Sequence, residues 1–195
     1  TMQGFGVVVT GTLIGGSIQQ DQRLQVLPHG NEIRVRGVQV YNDTTQIAIA
    51  GQRTALNLSG TDLEQVQRGD VLCPTTFSQT TNNIDVDLRV LSSFPRMLEH
   101  WTPLRFYIGT REVFCRAIML VEEAILPGET APIQLRLDDP ILTFRGDRFI
   151  LRDTSAQYTV GGGQVLNPFA QRHKRLAKAT IDLLEQWSAV KSPTE

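Results

Sequence analysis

Covalent chemistry has little to stand on in this sequence. The three histidines (His29, His100 and His173) are scattered, the carboxylates are dispersed, and no Ser-His-acid or metal-ligand spacing appears. Cys73 and Cys115 lie far apart and match no metal or redox spacing, so they read as two buried free thiols of a cytoplasmic protein in a reducing compartment. Arginine offers another kind of chemistry. Sixteen of the nineteen basic residues are arginine, and the three lysines (Lys174, Lys178, Lys191) all fall near the C-terminal end. A guanidinium fork suits phosphate and carboxylate, although the count alone also fits a compositional habit. The net charge of −1 gives no global field for nucleic acid, so any such contact must be local. One arginine stands apart by position. In Ala50-Gly51-Gln52-Arg53-Thr54-Ala55-Leu56-Asn57-Leu58-Ser59-Gly60 a turn leads into an alternating strand with Arg53 at its mouth.

The elements that would position Arg53 are short strands. Gly4–Ile18 is rich in β-branched residues and punctuated by glycine, the pattern of a strand that bends at a bulge or corner. No Gly-x-x-x-x-Gly-Lys-Ser/Thr spacing occurs anywhere, so these glycines cradle no nucleotide. Arg23–Leu27 is a strand, Pro28-His29-Gly30-Asn31 a turn, and Glu32–Tyr41 a second strand. Ile33, Val35, Val38 and Val40 face inward there, Gly37 absorbs a one-residue slip, and Arg34 and Arg36 share the outer face. Thr61–Val66 forms a helical turn capped by threonine or aspartate, and Arg68-Gly69-Asp70-Val71-Leu72 closes the unit. About six short strands without a long helix argue for a small closed antiparallel barrel over residues 1–75.

After the polar linker Pro74–Asn83 a second β pattern begins. Ile84–Leu91, Leu104–Ile108, Val113–Leu120, Ile133–Leu137, Asp147–Asp153 and Tyr158–Leu166 alternate as strands, the last interrupted by Gly161-Gly162-Gly163. This is a second all-β domain over residues 82–167. Asn167-Pro168 is a helix start signal, and Leu176, Ile181, Leu183, Leu184 and Trp187 recur near helical spacing behind the basic cluster Arg172–Arg175. Residues 168–195 are thus a helix leading away from the second domain, its basic cluster either a solvated helix end or an RNA contact. The composition, 41% hydrophobic and 20% charged, is that of a soluble globular protein, and no run reaches the roughly 18 apolar residues of a membrane span. Strand pattern within a few residues of Thr1 is expected of a piece of a longer protein.

Two consecutive barrels, the first opened by Gly4-Phe5-Gly6…Val9-Thr10-Gly11-Thr12 and closed by Arg68-Gly69-Asp70-Val71-Leu72, resemble domains two and three of the translational GTPases. The wording of Arg34–Val40, Ala50–Gly60 and Gly162-Gly163-Gln164-Val165-Leu166-Asn167-Pro168 most resembles the bacterial selenocysteine-specific elongation factors. The resemblance covers nearly the whole chain and is looser in the second barrel. It implies an all-β fold of two consecutive small antiparallel barrels followed by a C-terminal helix. It also implies a piece without catalysis of its own, in a protein whose GTPase domain uses GTP and magnesium. The implied partners are selenocysteinyl-tRNA, the ribosome and, through further C-terminal domains, an mRNA hairpin.

Within that family the arginine of the Gly-Gln/Asp-Arg motif falls on Arg53. A selenol is an anion at neutral pH where serine carries a neutral hydroxyl, and a guanidinium separates the two by a charge-assisted contact. The acidic–basic or acidic–histidine pair that completes the family's pocket lies before Thr1. Arg34 and Arg36 become backbone contacts to the acceptor stem, which position rather than specify. In the second barrel Arg89, Arg96, Arg105 and Arg116 are candidates for the tRNA arm. At Gln46-Ile47-Ala48 the chain departs from elongation factor Tu, which has a carboxylate near there. The alternatives are an exposed strand arginine at Arg53, solvated arginines at Arg34 and Arg36, the barrels of another translational GTPase (elongation factor Tu-like or initiation factor-like), and a β-barrel interaction module without RNA.

Overall fold

A computed structural model describes residues 6–77, 79–120, 123–173 and 178–189. The chain divides into two compact units, Thr1–Gln79 and Thr80–Glu195, each built of antiparallel strands.

The first unit contains β1 (Val7–Thr12), β2 (Ser17–Gln19), β3 (Arg23–Leu27), β4 (Asn31–Val40), β5 (Asp43–Thr45), β6 (Ile47–Ile49), β7 (Arg53–Ser59) and β8 (Val71–Cys73). Its wall is made of two ladders. The main sheet runs β1-β7-β4-β3-β8 with β5 on β4, and β2 pairs with β6 apart from it. Both ladders fill one core, in which Ile18 of β2 and Ala48 of β6 join Leu24, Val26, Ile33, Val35, Val38 and Leu58. The glycine-punctuated run is thus two strands joined by a bend. The inward set Ile33, Val35 and Val38 is buried while Arg34 and Arg36 are exposed, and the ladder between β4 and β7 slips between Val35 and Gly37. That slip keeps both halves of a ten-residue strand apolar-side-in. The turn at Leu63–Gln65 is a single 3₁₀ turn, with the Asp62 N–H donating to Gln65 Oε1 at 3.2 Å.

The second unit contains β9 (Thr81–Val90), β10 (Leu98–Glu99), β11 (Pro103–Ile108), β12 (Arg111–Met119), β13 (Ala124–Ile125), β14 (Thr130–Ile141), β15 (Arg148–Asp153) and β16 (Thr159–Asn167). Six of these close a barrel in the order β11-β12-β14-β9-β16-β15 around Ile84, Val86, Leu88, Phe106, Leu135 and Leu151. The glycine triplet does not interrupt its strand. Gly161, Gly162 and Gly163 lie inside β16, paired on one side with β9 and on the other with β15. A Cβ on Gly163 would sit 1.7 Å from the Asp87 carbonyl oxygen, and one on Gly161 2.2 Å from that of Arg89. The triplet exists because neighbouring backbone passes too close for any side chain.

The helix also begins later than the Asn167-Pro168 signal implies. Asn167 is the last residue of β16, and its Oδ1 accepts the Phe169 N–H at 3.2 Å, an Asx turn rather than a helix cap. The α-helix α1 spans Lys178–Ala189. Leu184 is buried against Leu120 and Leu166, with Ile181 and Trp187 partly buried beside it. Leu183 of the apolar pattern faces solvent, and Leu176 lies outside the described residues, as do Lys174 and Arg175 of the basic cluster.

Candidate nucleic-acid interface

The approach to Arg53 is built by backbone first. Gly51 takes φ +87°, which an L side chain rarely adopts, and so lets the chain reverse between β6 and β7. The Gln52 side chain then staples the turn, its Oε1 accepting the Ile49 N–H at 2.8 Å. The turn is tied to the β1–β2 connection by three further bonds. Leu13 N–H donates to Gln52 O at 3.0 Å, Gly51 N–H to Leu13 O at 2.7 Å and Ala50 N–H to Gly16 O at 2.9 Å. These two fastened loops carry the exposed side chains of Ile14 and Ile49. Arg53 follows at once, opposite Thr12 in the ladder, exposed at the outer end of β7. Among the described residues its side chain has no hydrogen-bond or ion-pair partner.

Arg34 and Arg36 share that outer face but lie at its far end. Arg34 stands opposite Ser59, six residues along β7 from Arg53, a separation of roughly 20 Å at about 3.3 Å per residue. No single ligand group can touch both ends. The structure also separates the two predicted contacts from each other. Arg34 is held by Asp21 at 2.9 Å, both side chains more than half exposed, so the pair is weak yet costs Arg34 some of its freedom to meet a phosphate. Arg36 occupies the bulge and has no such partner among the described residues. Sequence reasoning missed Arg23, which stands directly opposite Arg34 on β3 and is exposed. Only the register of β3 on β4 brings the two together. A shallow recess of about 450 Å³ beside Asp21 is lined by Ser17, Gln19, Gln20 and Gln22; Arg53 is not among its lining residues.

The arginines of the second barrel are differently employed. Arg105 forms an ion pair with Glu112, donates through Nε to Thr154 O at 2.8 Å, and lies over the Phe114 ring at 4.8 Å. The hydrogen bond to Glu112 raises its already high pKa. Arg96 lies over Phe94 at 5.6 Å. Arg116 faces Arg136 across the β12–β14 ladder, and Arg136 in turn lies 6.0 Å from the Trp101 ring. Arg89 is exposed on β9. Phe114 and Trp101 are separated from their arginines by a turn or by a long stretch of sequence, so no local pattern announced those pairs, whereas Phe94 and Arg96 lie two residues apart in one bend. His173 leaves the basic cluster altogether, its Nε2 lying 2.8 Å from the carboxylate of Asp85.

Neither thiol is chemically available. Burial pushes Cys115 up to about 12, with the nearby Asp138 carboxylate adding to it, and burial likewise raises Cys73. Among the described residues no three His, Cys, Asp or Glu side chains gather to hold a metal ion.

Comparison with known proteins matches each barrel to a domain family. Residues 84–172 match the domain described as the selenocysteine-specific elongation factor β-barrel, and residues 6–73 match elongation factor Tu domain 2. Over residues 84–172 the chain carries the β-barrel domain of the selenocysteine-specific elongation factors. It is 38% identical over 178 residues to the selenocysteine-specific elongation factor of Desulfomicrobium baculatum, covering 91% of this chain and 28% of that protein. With that of Escherichia coli K12 it shares 33% over 178 residues, 90% of this chain and 27% of the relative. Among solved structures, a bacterial selenocysteine-specific elongation factor, EF-Sec, superposes with a TM-score of 0.79 at 25% identity over 95% of this chain and 29% of that one. The chain thus spans little more than a quarter of the length of the curated relatives, and carries barrel domains of the family.

Proposed function

We propose that these two barrels hold selenocysteinyl-tRNA for delivery to the ribosome in the cytoplasm, and couple it to a GTPase domain elsewhere in the full-length protein. Arg53 reads the selenolate by a charge-assisted contact. The single observation that carries this role is an exposed arginine, free of any carboxylate among the described residues, at the end of a turn fixed by four hydrogen bonds. An arginine already neutralised by a local carboxylate would have little selectivity left for an incoming anion. Arg36, and less strongly Arg34, meet backbone phosphates about 15 to 20 Å away.

GTP and magnesium do not fit this piece. The sequence has no phosphate-cradling loop, and the described residues gather no metal-ligating cluster. Both belong to the GTPase domain, and an mRNA hairpin belongs to parts of the protein beyond the barrels. This piece is a binding and coupling module without catalysis.

The test compares selenocysteinyl-tRNA with seryl-tRNA, the same tRNA body with different side chains, on the full-length protein. Wild type prefers the selenocysteinyl form. Arg53→Ala loses roughly ten- to hundredfold of that preference, the worth of one hydrogen bond to a charged group, while its grip on seryl-tRNA is unchanged. A preference that survives in Arg53→Ala returns Arg53 to the solvated surface.

A further inference from the structure

Asp85 sits on the face of β9 opposite the inward-facing Ile84 and Val86, where a carboxylate would ordinarily lie in water. It is nevertheless 1% exposed. Its cover is the chain that leaves β16. Its Oδ2 accepts the Asn167 side-chain amide at 3.3 Å and lies 2.8 Å from His173 Nε2, while its Oδ1 accepts Gln134 Nε2 at 3.0 Å. Gln134, itself 1% exposed, also donates to the Gln171 carbonyl oxygen at 2.8 Å, so the covering segment is gripped at its backbone as well. Beyond residues 174–177, α1 contacts the same barrel at a second place. Leu184 is buried against Leu120 and Leu166, and Arg145 lies over the Trp187 ring at 5.1 Å and donates to its carbonyl oxygen at 3.4 Å.

We infer that residues 167–173 and α1 form a latched arm on the second barrel, locked by His173 on buried Asp85, so that any chain beyond it moves with the barrel rather than on a slack linker. The physical asymmetry of the latch makes it a lock. Removing a partner of a buried carboxylate is costly because the carboxylate stays dry with one hydrogen bond fewer. Here the charge can escape that fate, since lifting the arm returns Asp85 to water with the barrel core untouched. Loss of His173 therefore drives the arm off, with Asp85 supplying the force. Loss of both groups removes the force, and the grip of Gln134 on Gln171 and the packing of Leu184 remain.

Amide hydrogen exchange on this chain tests the latch. In His173→Ala the α1 amides exchange at least about tenfold faster than in wild type while β11 and β12 keep their protection, the pattern of local opening. In the Asp85→Ala/His173→Ala double variant the α1 amides slow again towards wild type. Unchanged α1 exchange in His173→Ala overturns the latch. A double variant as fast as the single one overturns the part played by the buried charge. Faster exchange throughout the barrel in His173→Ala makes the contact a structural one of the barrel as a whole and equally overturns the lock.

Discussion

The two barrels put the same residue to different uses. In the first, Arg53 and Arg36 stand on the outer face without partners among the described residues, and Arg34 has only an exposed ion pair to Asp21. In the second, Arg105, Arg96, Arg136 and Arg145 each lie over an aromatic ring, and Arg105 is further tied to Glu112 and to backbone. A guanidinium stacked and bonded at home is part of the wall, whereas one with open donors is available to a ligand. Interiors follow the same division. The second barrel is a closed circuit drawn so tight that β16 needs a glycine triplet, while the first is assembled from two ladders. What this teaches is that the arginine count of the chain says little, and the company each arginine keeps says which of them have donors open to a ligand.

The sharpest way to break this contrast is through glycine. Gly163→Ala places a methyl 1.7 Å from the Asp87 carbonyl oxygen, against backbone that cannot swing aside. It is expected to cost at least about 3 kcal/mol and to abolish cooperative unfolding of the second barrel. Gly11→Ala in β1 meets nothing within 4 Å and is expected to be near neutral, since the small gain of Ala over Gly offsets any loss. Calorimetry of both variants decides it, and equal effects would dissolve the difference between a tight and a permissive barrel.

The thiols sharpen the comparison next. Cys115 is inside the tight barrel and is pushed up to about 12 from an ordinary value of 9.0. Its folded pKa is raised, so the folded state holds the proton that the unfolded state gives up. The stability it contributes is complete below pH 9, falls as pH rises and is lost by about 12. Cys115→Ala is expected to lessen the alkaline slope of unfolding free energy by up to one proton between those limits, measured by denaturant titration at several pH values. Thiol-reactive probes are expected to reach Cys73 of the first barrel before Cys115, because Cys73 is 7% exposed and Cys115 2%.

Much of the fold was legible in the sequence because strands that are half buried advertise themselves. Alternation placed Ile33, Val35 and Val38 inside and Arg34 and Arg36 outside, and Gly37 betrayed the slip. The turn before Arg53 was legible for the same reason, its Gly51 and following alternation being local signals. What local patterns could not carry was long-range polar pairing. Asp85 interrupts a run of buried apolar residues, and the partners that make it tolerable come from residues 134, 167 and 173. Buried Gln25 is similar, its amide donating to the carbonyls of Pro74 and Phe77 beyond β8. The helix boundary was misplaced because Asn-Pro serves an Asx turn as readily as a helix start, and only the Asn167 contacts to Phe169 and Asp85 separate the two. A local device also went unread. Glutamines 22, 52 and 65 each accept the N–H three residues earlier, so a glutamine closing a turn is a staple before it is a ligand.

The smallest expected effect discriminates most finely within the first barrel. Arg34 and Arg36 look equivalent by alternation, yet one is held by Asp21 and the other rides a bulge with open donors. If both met phosphate freely, each neutral substitution would lower the salt dependence of tRNA binding by the same amount, about 0.7–0.9 of a counterion. Asp21 already screens Arg34, so Arg34→Gln is expected to change the slope by less than Arg36→Gln, and Asp21→Asn to raise it slightly by releasing Arg34. The measurement is the slope of log binding constant against log salt for the three variants with one tRNA, and neither arginine substitution should alter the preference for the selenocysteinyl side chain, because Arg36 stands about 15 Å and Arg34 about 20 Å from Arg53 along β7. Equal slopes for Arg34→Gln and Arg36→Gln would mean that Asp21 yields its partner when RNA arrives. A slope unmoved by either would remove this end of the sheet from the tRNA path and leave Arg53 acting without a backbone anchor on β4.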